Sequence, residues 1–183
     1  WATLAWSAVA AIGVVIPSMW LQEQMPALPD TAGEMLTKII STPGGYFVIA
    51  LLAPVVEEVV FRGAILRALL SSMQSKWGAI CISAALFALI HFNPAQTPHA
   101  FLMGLLMGWL YMRTGSIVPG VVFHWANNTV AYLIAVAYPG DETKLVDIFG
   151  GNETAVIMSV VFSLCIFIPA LFQLNIWTKK RGR

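Results

Sequence analysis

The chain has 183 residues, of which 58% are hydrophobic and only 10% are charged, and its mean hydropathy is +0.78. Soluble domains carry about a quarter charged residues, so this composition excludes an ordinary water-soluble fold, and the many large apolar residues exclude a disordered chain. The formal net charge is +1. Because the cations form no stripe that could follow phosphates, we expect no nucleic-acid partner.

Six apolar stretches predict an all-α fold, a polytopic membrane helical bundle with about six transmembrane helices. They cover residues 1–21, 46–71, 77–93, 98–113, 117–138 and 154–177. Prolines inside these runs or near their ends predict kinks or breaks, at Pro17, Pro54, Pro119 and Pro169. After the first stretch, residues 32–40 are compatible with a short helix on the membrane surface and equally with a loop.

We expect residues 1–183 to form a single membrane-embedded domain, with a catalytic core at about 46–138. The chain enters an apolar run directly at Trp1, which predicts that N-terminal residues of a longer protein precede it.

The charged residues predict an orientation. If the tail with Lys179, Lys180, Arg181 and Arg183 is cytoplasmic, six alternating crossings place Arg67, Lys76 and Arg113 on that side. Most carboxylates then fall on the opposite side. We therefore expect a multi-pass membrane protein with a cytoplasmic C-terminus, and a reactive pocket that opens toward the cytoplasm.

Two adjacent carboxylates, Glu57 and Glu58, lie inside the second apolar stretch, where a charge costs several kcal/mol to insert. Glu58 and Arg62 are four residues apart on one helix face, so the spacing predicts an ion pair. Glu57 is turned about 100 degrees away and has no partner in its own helix. The pattern favours a supporting Glu58 and a reactive Glu57, although a buried ion-pair network used only for packing would place the same residues here.

Imidazole and amide groups follow in the later stretches. His91 ends the third stretch, and His124 and Asn128 share one face of the fifth. Convergence of Glu57, His91 and His124 in one polar pocket would avoid separate desolvation costs. His99 is expected to be an interfacial residue, Asn127 an amide that supports the site or serves packing, and Gly104 with Gly108 a close helix contact.

Such a pocket has the groups needed for amide hydrolysis. A carboxylate beside an imidazole can take a proton from water, and a second imidazole with an amide can donate to the oxyanion. The same Glu57, His91 and His124 could instead hold a zinc ion with an open position for water. The spacing does not decide between these alternatives, although the local HExxH helix of many zinc proteases is absent.

The ordered motifs resemble those of the CAAX prenyl endopeptidase and bacteriocin-processing (CPBP, Abi) intramembrane proteases. The motifs are Glu57-Glu58-x-x-x-Arg62, Phe87-x-x-x-His91 and His124-x-x-x-Asn128. The resemblance implies that Glu57 and His91 activate the water, that His124 and Asn128 stabilise the oxyanion, and that Glu58 and Arg62 support them. Members are described both as glutamate proteases and as metalloproteases, and we prefer a metal-free water.

The sequence therefore predicts an intramembrane endopeptidase whose partners are the lipid bilayer and a membrane peptide, either a prenylated protein or a leader peptide. Two other classes fit intramembrane Glu and His residues, a transporter or proton relay and a non-catalytic immunity or scaffold protein. The oligomeric state is left open by the sequence.

Overall fold

A computed structural model describes residues 1–139 and 143–179, and within these ranges every regular element is helical. We number the helices in chain order, with the continuous run over residues 47–72 counted as one helix. They are α1 (Ala2–Glu23), α2 (Gly33–Ile40), α3 (Phe47–Leu52, Ala53–Glu58, Val59–Leu66 and Arg67–Ser72), α4 (Lys76–Leu89), α5 (Thr97–Thr114), α6 (Val118–Ala137), α7 (Leu145–Ile148) and α8 (Glu153–Lys179).

Each of the six predicted apolar stretches contains one long helical run, so the all-α fold is confirmed. Within the described ranges, α1, α6 and α8 are long and apolar enough to cross a membrane. The chain is therefore an integral membrane protein. Helix α4 has only 14 residues, and six crossings stay a prediction.

Helix α3 alternates between π and α geometry. Its segments Phe47–Leu52 and Val59–Leu66 are π-helical, with α-helical turns after each. At the first junction the Ala53 N–H donates to the Val48 carbonyl, five residues back rather than four. π turns are rare and often occur at functional sites, and Glu57 lies between these two.

The prolines of α1, α6 and α8 do not break their helices. α1 continues through Pro17, and α8 continues through Pro169. Pro119 lies in the first turn of α6, where the N–H that proline lacks would have no partner inside the helix. The helices are therefore not broken at Pro17 and Pro169, and a kink at either proline stays a prediction.

The bundle is assembled around α1, which packs along α8 and α6, while α4 packs along α5. A Cβ atom at Gly104 would lie 2.9 Å from the Ala84 Cβ, and one at Gly108 would lie 2.9 Å from a methyl of Ile80. Both glycines thus allow α4 and α5 to approach closely, as the small-residue pattern predicts.

Residues 30–33 are attached to the turn that follows α4. The Asp30 carboxylate accepts hydrogen bonds from the Ala32 and Gly33 backbone at 3.1 and 2.8 Å, and from the Asn93 side chain at 2.8 Å. The carboxylate thus caps the start of α2. The helical alternative holds for this segment, and its position on the membrane surface stays a prediction. The Thr31 hydroxyl also donates to the Phe92 carbonyl at 2.7 Å.

The C-terminal ends of α5 and α8 lie side by side. Arg113 donates to the Asn175 carbonyl at 2.9 Å and to the Thr178 hydroxyl at 3.1 Å. If successive helices cross the membrane in alternating directions, α5 and α8 end on the same side of it. Their contact at these ends is therefore expected. The predicted cytoplasmic tail at Lys180, Arg181 and Arg183 lies outside the described residues.

Candidate active site

A cavity of about 620 Å³ lies between α1, α2, α3, α5 and α6, and its walls are mainly apolar. It is lined by all four predicted catalytic residues, namely Glu57, His91, His124 and Asn128. The three histidines of the chain all border this one space, since His99 lines it as well. The structure thus brings together the polar groups that the sequence scatters over three apolar stretches.

Glu58 and Arg62 form the ion pair that their spacing predicts, with Arg62 Nη1 2.7 Å from Glu58 Oε1. Both residues are 0% exposed. The guanidinium also donates to the Gly104 carbonyl at 3.1 Å and lies 4.6 Å from the centre of the Phe87 ring. Arg62 therefore links α3 to α4 and α5.

His124 is buried between the two carboxylates of α3. Its Nδ1 lies 3.4 Å from Glu58 Oε1, and its Nε2 lies 3.7 Å from Glu57 Oε2. Neither contact has hydrogen-bond geometry, so the imidazole and each carboxylate interact only through their charges and dipoles. The imidazole in contact with Glu57 is therefore that of His124, whereas the family roles pair Glu57 with His91. The Glu57 side chain remains 22% exposed and borders the cavity.

His91 lies two residues beyond the end of α4, in a turn, rather than inside the helix as the apolar stretch suggested. Its Nδ1 is 2.8 Å from the Phe87 carbonyl, one of the carbonyls that the end of a helix leaves without a backbone donor. Because a carbonyl can only accept, Nδ1 carries the proton and Nε2 is left as an acceptor.

Asn128 is held by its neighbours on two sides. Its amide nitrogen donates to the Ile49 carbonyl of α3 at 3.0 Å, and its oxygen accepts from the Asn127 amide at 3.4 Å. One N–H of the Asn128 amide remains for another acceptor, and the residue lines the cavity. Asn127 is only 6% exposed, yet it contacts Asn128 and borders the same space.

His99 and Asn127 border the cavity as well, and Asn127 supports Asn128, which agrees with the supporting role that its position predicts. His99 borders the same cavity as His91 and His124, and its expected position at the membrane interface stays a prediction. The sequence contains one signal for His99: the chain has only three histidines, and the other two are predicted to lie in the pocket. For Asn127 the only signal was its position beside Asn128.

Gly120 of α6 leaves room for the buried carboxylate. A Cβ atom there would lie 2.6 Å from Glu58 Oε2, and Arg62 prevents the carboxylate from moving away. We therefore expect Gly120→Ala to lower the free energy of unfolding by about 1–3 kcal/mol, measured by heat unfolding in detergent micelles. Gly63→Ala is the control, because its Cβ would meet nothing closer than 3.7 Å. Equal stability of the two variants would show that Glu58 is free to move.

The zinc alternative needs Glu57, His91 and His124 within reach of one ion. Across the residues that the structure describes, no group of three His, Cys, Asp or Glu side chains is placed to hold a metal ion. As they are arranged here, the three side chains do not form such a group, and whether the protein depends on a metal stays a question for experiment.

The cavity lies at one end of the bundle. It is lined by residues of the second half of α1, the first half of α3, α5 as far as Met107 and α6 from Phe123 onward. The side on which the cavity opens and the side of the C-terminus both stay predictions.

The family model described as Rce1-like, type II CAAX prenyl endopeptidase, matches residues 40–130, about half of the chain. The matched region contains all three motifs. No curated protein and no solved structure matches the chain significantly.

Proposed function

We propose that this chain, which belongs to the Rce1-like family over residues 40–130, hydrolyses peptide bonds of membrane-associated substrates inside its cavity. One observation carries the proposal: Glu57, His91, His124 and Asn128 line a single, mainly apolar space. Binding sites of this kind combine apolar walls with a few polar groups that orient the ligand. The family description favours prenylated peptides as substrates, and a leader peptide would require the same chemistry.

In the proposed mechanism, a water molecule lies between Glu57 and the unprotonated Nε2 of His91. Glu57 takes one proton from this water as the oxygen attacks the substrate carbonyl. When the C–N bond breaks, the same proton passes from Glu57 to the departing amine. Glu57 is then an ionised carboxylate again, and one water has been consumed for one peptide bond.

The oxyanion is stabilised by donors from α6. The remaining N–H of Asn128 is available because Ile49 occupies only one of the two. His124 lies between the carboxylates of Glu57 and Glu58, and in this mechanism its Nε2 carries a proton. Its Nε2–H is not engaged in a hydrogen bond with Glu57 at 3.7 Å and can therefore donate to the oxyanion.

The test is cleavage of a farnesylated CAAX peptide by the purified full chain in liposomes, with products identified by mass spectrometry. We expect release of the terminal tripeptide, and the same rate after treatment with a metal chelator. Loss of activity with chelator and recovery with zinc would contradict the metal-free mechanism. If only a non-prenylated leader peptide is cleaved, prenylated peptides are not the substrate class. If protons cross the liposome membrane and no peptide is cleaved, the chain is a transporter instead.

A further inference from the structure

We infer that Pro54 is a positioning residue for Asn128, because it leaves the Ile49 carbonyl available to orient the Asn128 amide. This inference rests on the proposed function, in which that amide donates to the oxyanion. Pro54 itself has no contact with the reacting atoms and acts through the backbone of α3.

The backbone hydrogen bonds of α3 explain why the Ile49 carbonyl is available. In a regular α-helix the Ile49 carbonyl would accept the N–H of Ala53. In the structure the Ala53 N–H donates to Val48 instead. The next donor in the π pattern belongs to residue 54, a proline that has no N–H. The Ile49 carbonyl therefore receives neither of the helical hydrogen bonds that it would have in a regular α- or π-helix.

The Ile49 carbonyl in turn sets the orientation of the Asn128 amide. Ile49 can only accept, so Asn128 must turn its nitrogen toward α3, and it does so at 3.0 Å. The Asn128 oxygen then faces Asn127, which donates to it at 3.4 Å. If the amide were rotated by 180 degrees, its oxygen would face the Ile49 oxygen. The contact with Ile49 therefore fixes which N–H remains for the cavity.

Pro54 is also unfavourable for the helix that contains it. The residue is buried and lies within a continuous helical run, where proline is the least favourable residue. Alanine at this position would supply an N–H and allow α-helical hydrogen bonds to form. A residue that destabilises its own helix while it positions an amide predicts opposite effects on stability and activity.

The first experiment is Pro54→Ala in the full chain. We expect kcat to fall about tenfold or more, part of the loss seen when an oxyanion donor is removed, with KM unchanged. The midpoint of heat unfolding should rise by about 2–4 °C or more. Pro169→Ala is the control, since that proline lies inside α8 and away from the cavity, and it should raise the midpoint without changing kcat. Unchanged kcat in Pro54→Ala, or a lower midpoint, would overturn the inference.

The second experiment does not depend on cleavage. Asn128→Ala should lower the unfolding midpoint because it leaves the Ile49 carbonyl without its donor. In the Pro54→Ala background this loss should shrink, since the Ile49 carbonyl then has a backbone donor. Equal losses in both backgrounds would refute the role of Pro54 even in an active protease. A reduced loss in a protein that cleaves no peptide would instead reject the proposed function and retain the link between Pro54 and Asn128.

Discussion

Glu57→Gln should lower kcat/KM for the farnesylated peptide by about 10²–10⁴-fold, the usual contribution of a general base. Glutamine keeps the shape of the side chain but cannot take a proton from water. Glu57 borders the cavity and, unlike Glu58, has no ion pair with Arg62. The variant should therefore remain folded, and the measurement combines the cleavage rate with the midpoint of heat unfolding.

Glu34→Gln provides the matched control for this prediction. Glu34 is an exposed carboxylate in the first turn of α2, and it does not line the cavity. Cleavage should continue at the original rate in this variant. If Glu57→Gln also cleaves at the original rate, Glu57 is not the base and the proposed mechanism fails.

Arg62→Met should lower the free energy of unfolding by about 3–5 kcal/mol, because it leaves the carboxylate of Glu58 buried without its cation. The Gly104 carbonyl loses a donor in the same substitution. Heat unfolding should show a midpoint that is lower by about 6–20 °C. Methionine fills a similar volume, so the loss reports the missing charge rather than a cavity.

The double variant with Glu58→Met and Arg62→Met separates charge from packing. Two apolar residues in place of a buried ion pair are often tolerated, so we expect part of the lost stability to return. Arg67→Met, at an exposed position of the same helix, should change stability little. A double variant that is less stable than Arg62→Met alone would show that Glu58 is stabilised by other contacts.

The positions of the helices and the ion pair could be read directly from the sequence. Long apolar stretches leave few alternatives to a helix in a membrane. The spacing of Glu58 and Arg62 is a local property of one helix, so no knowledge of the fold was needed to predict their contact. That Glu57, His91 and His124 border one cavity was also predicted, because a membrane strongly disfavours isolated polar groups.

The details of the site depend on tertiary contacts that no local pattern contains. The turn at His91 begins earlier than the apolar stretch indicates, since the stretch continues past the end of α4. The π turns of α3 depend on packing against neighbouring helices as well as on Pro54. Whether His91 or His124 contacts Glu57 depends on the placement of separate helices to within about an ångström, which residue types alone do not determine.

The attachment of residues 30–33 to the turn beyond α4 has a mechanical consequence. Helix α2 forms part of the cavity wall, and its first turn shares the Asp30 carboxylate with Asn93, two residues after His91. Lifting α2 away to admit a bulky molecule would either rupture these hydrogen bonds or pull the imidazole along with the helix. Widening the passage and displacing His91, which the proposed mechanism places beside the water, are thus parts of a single movement.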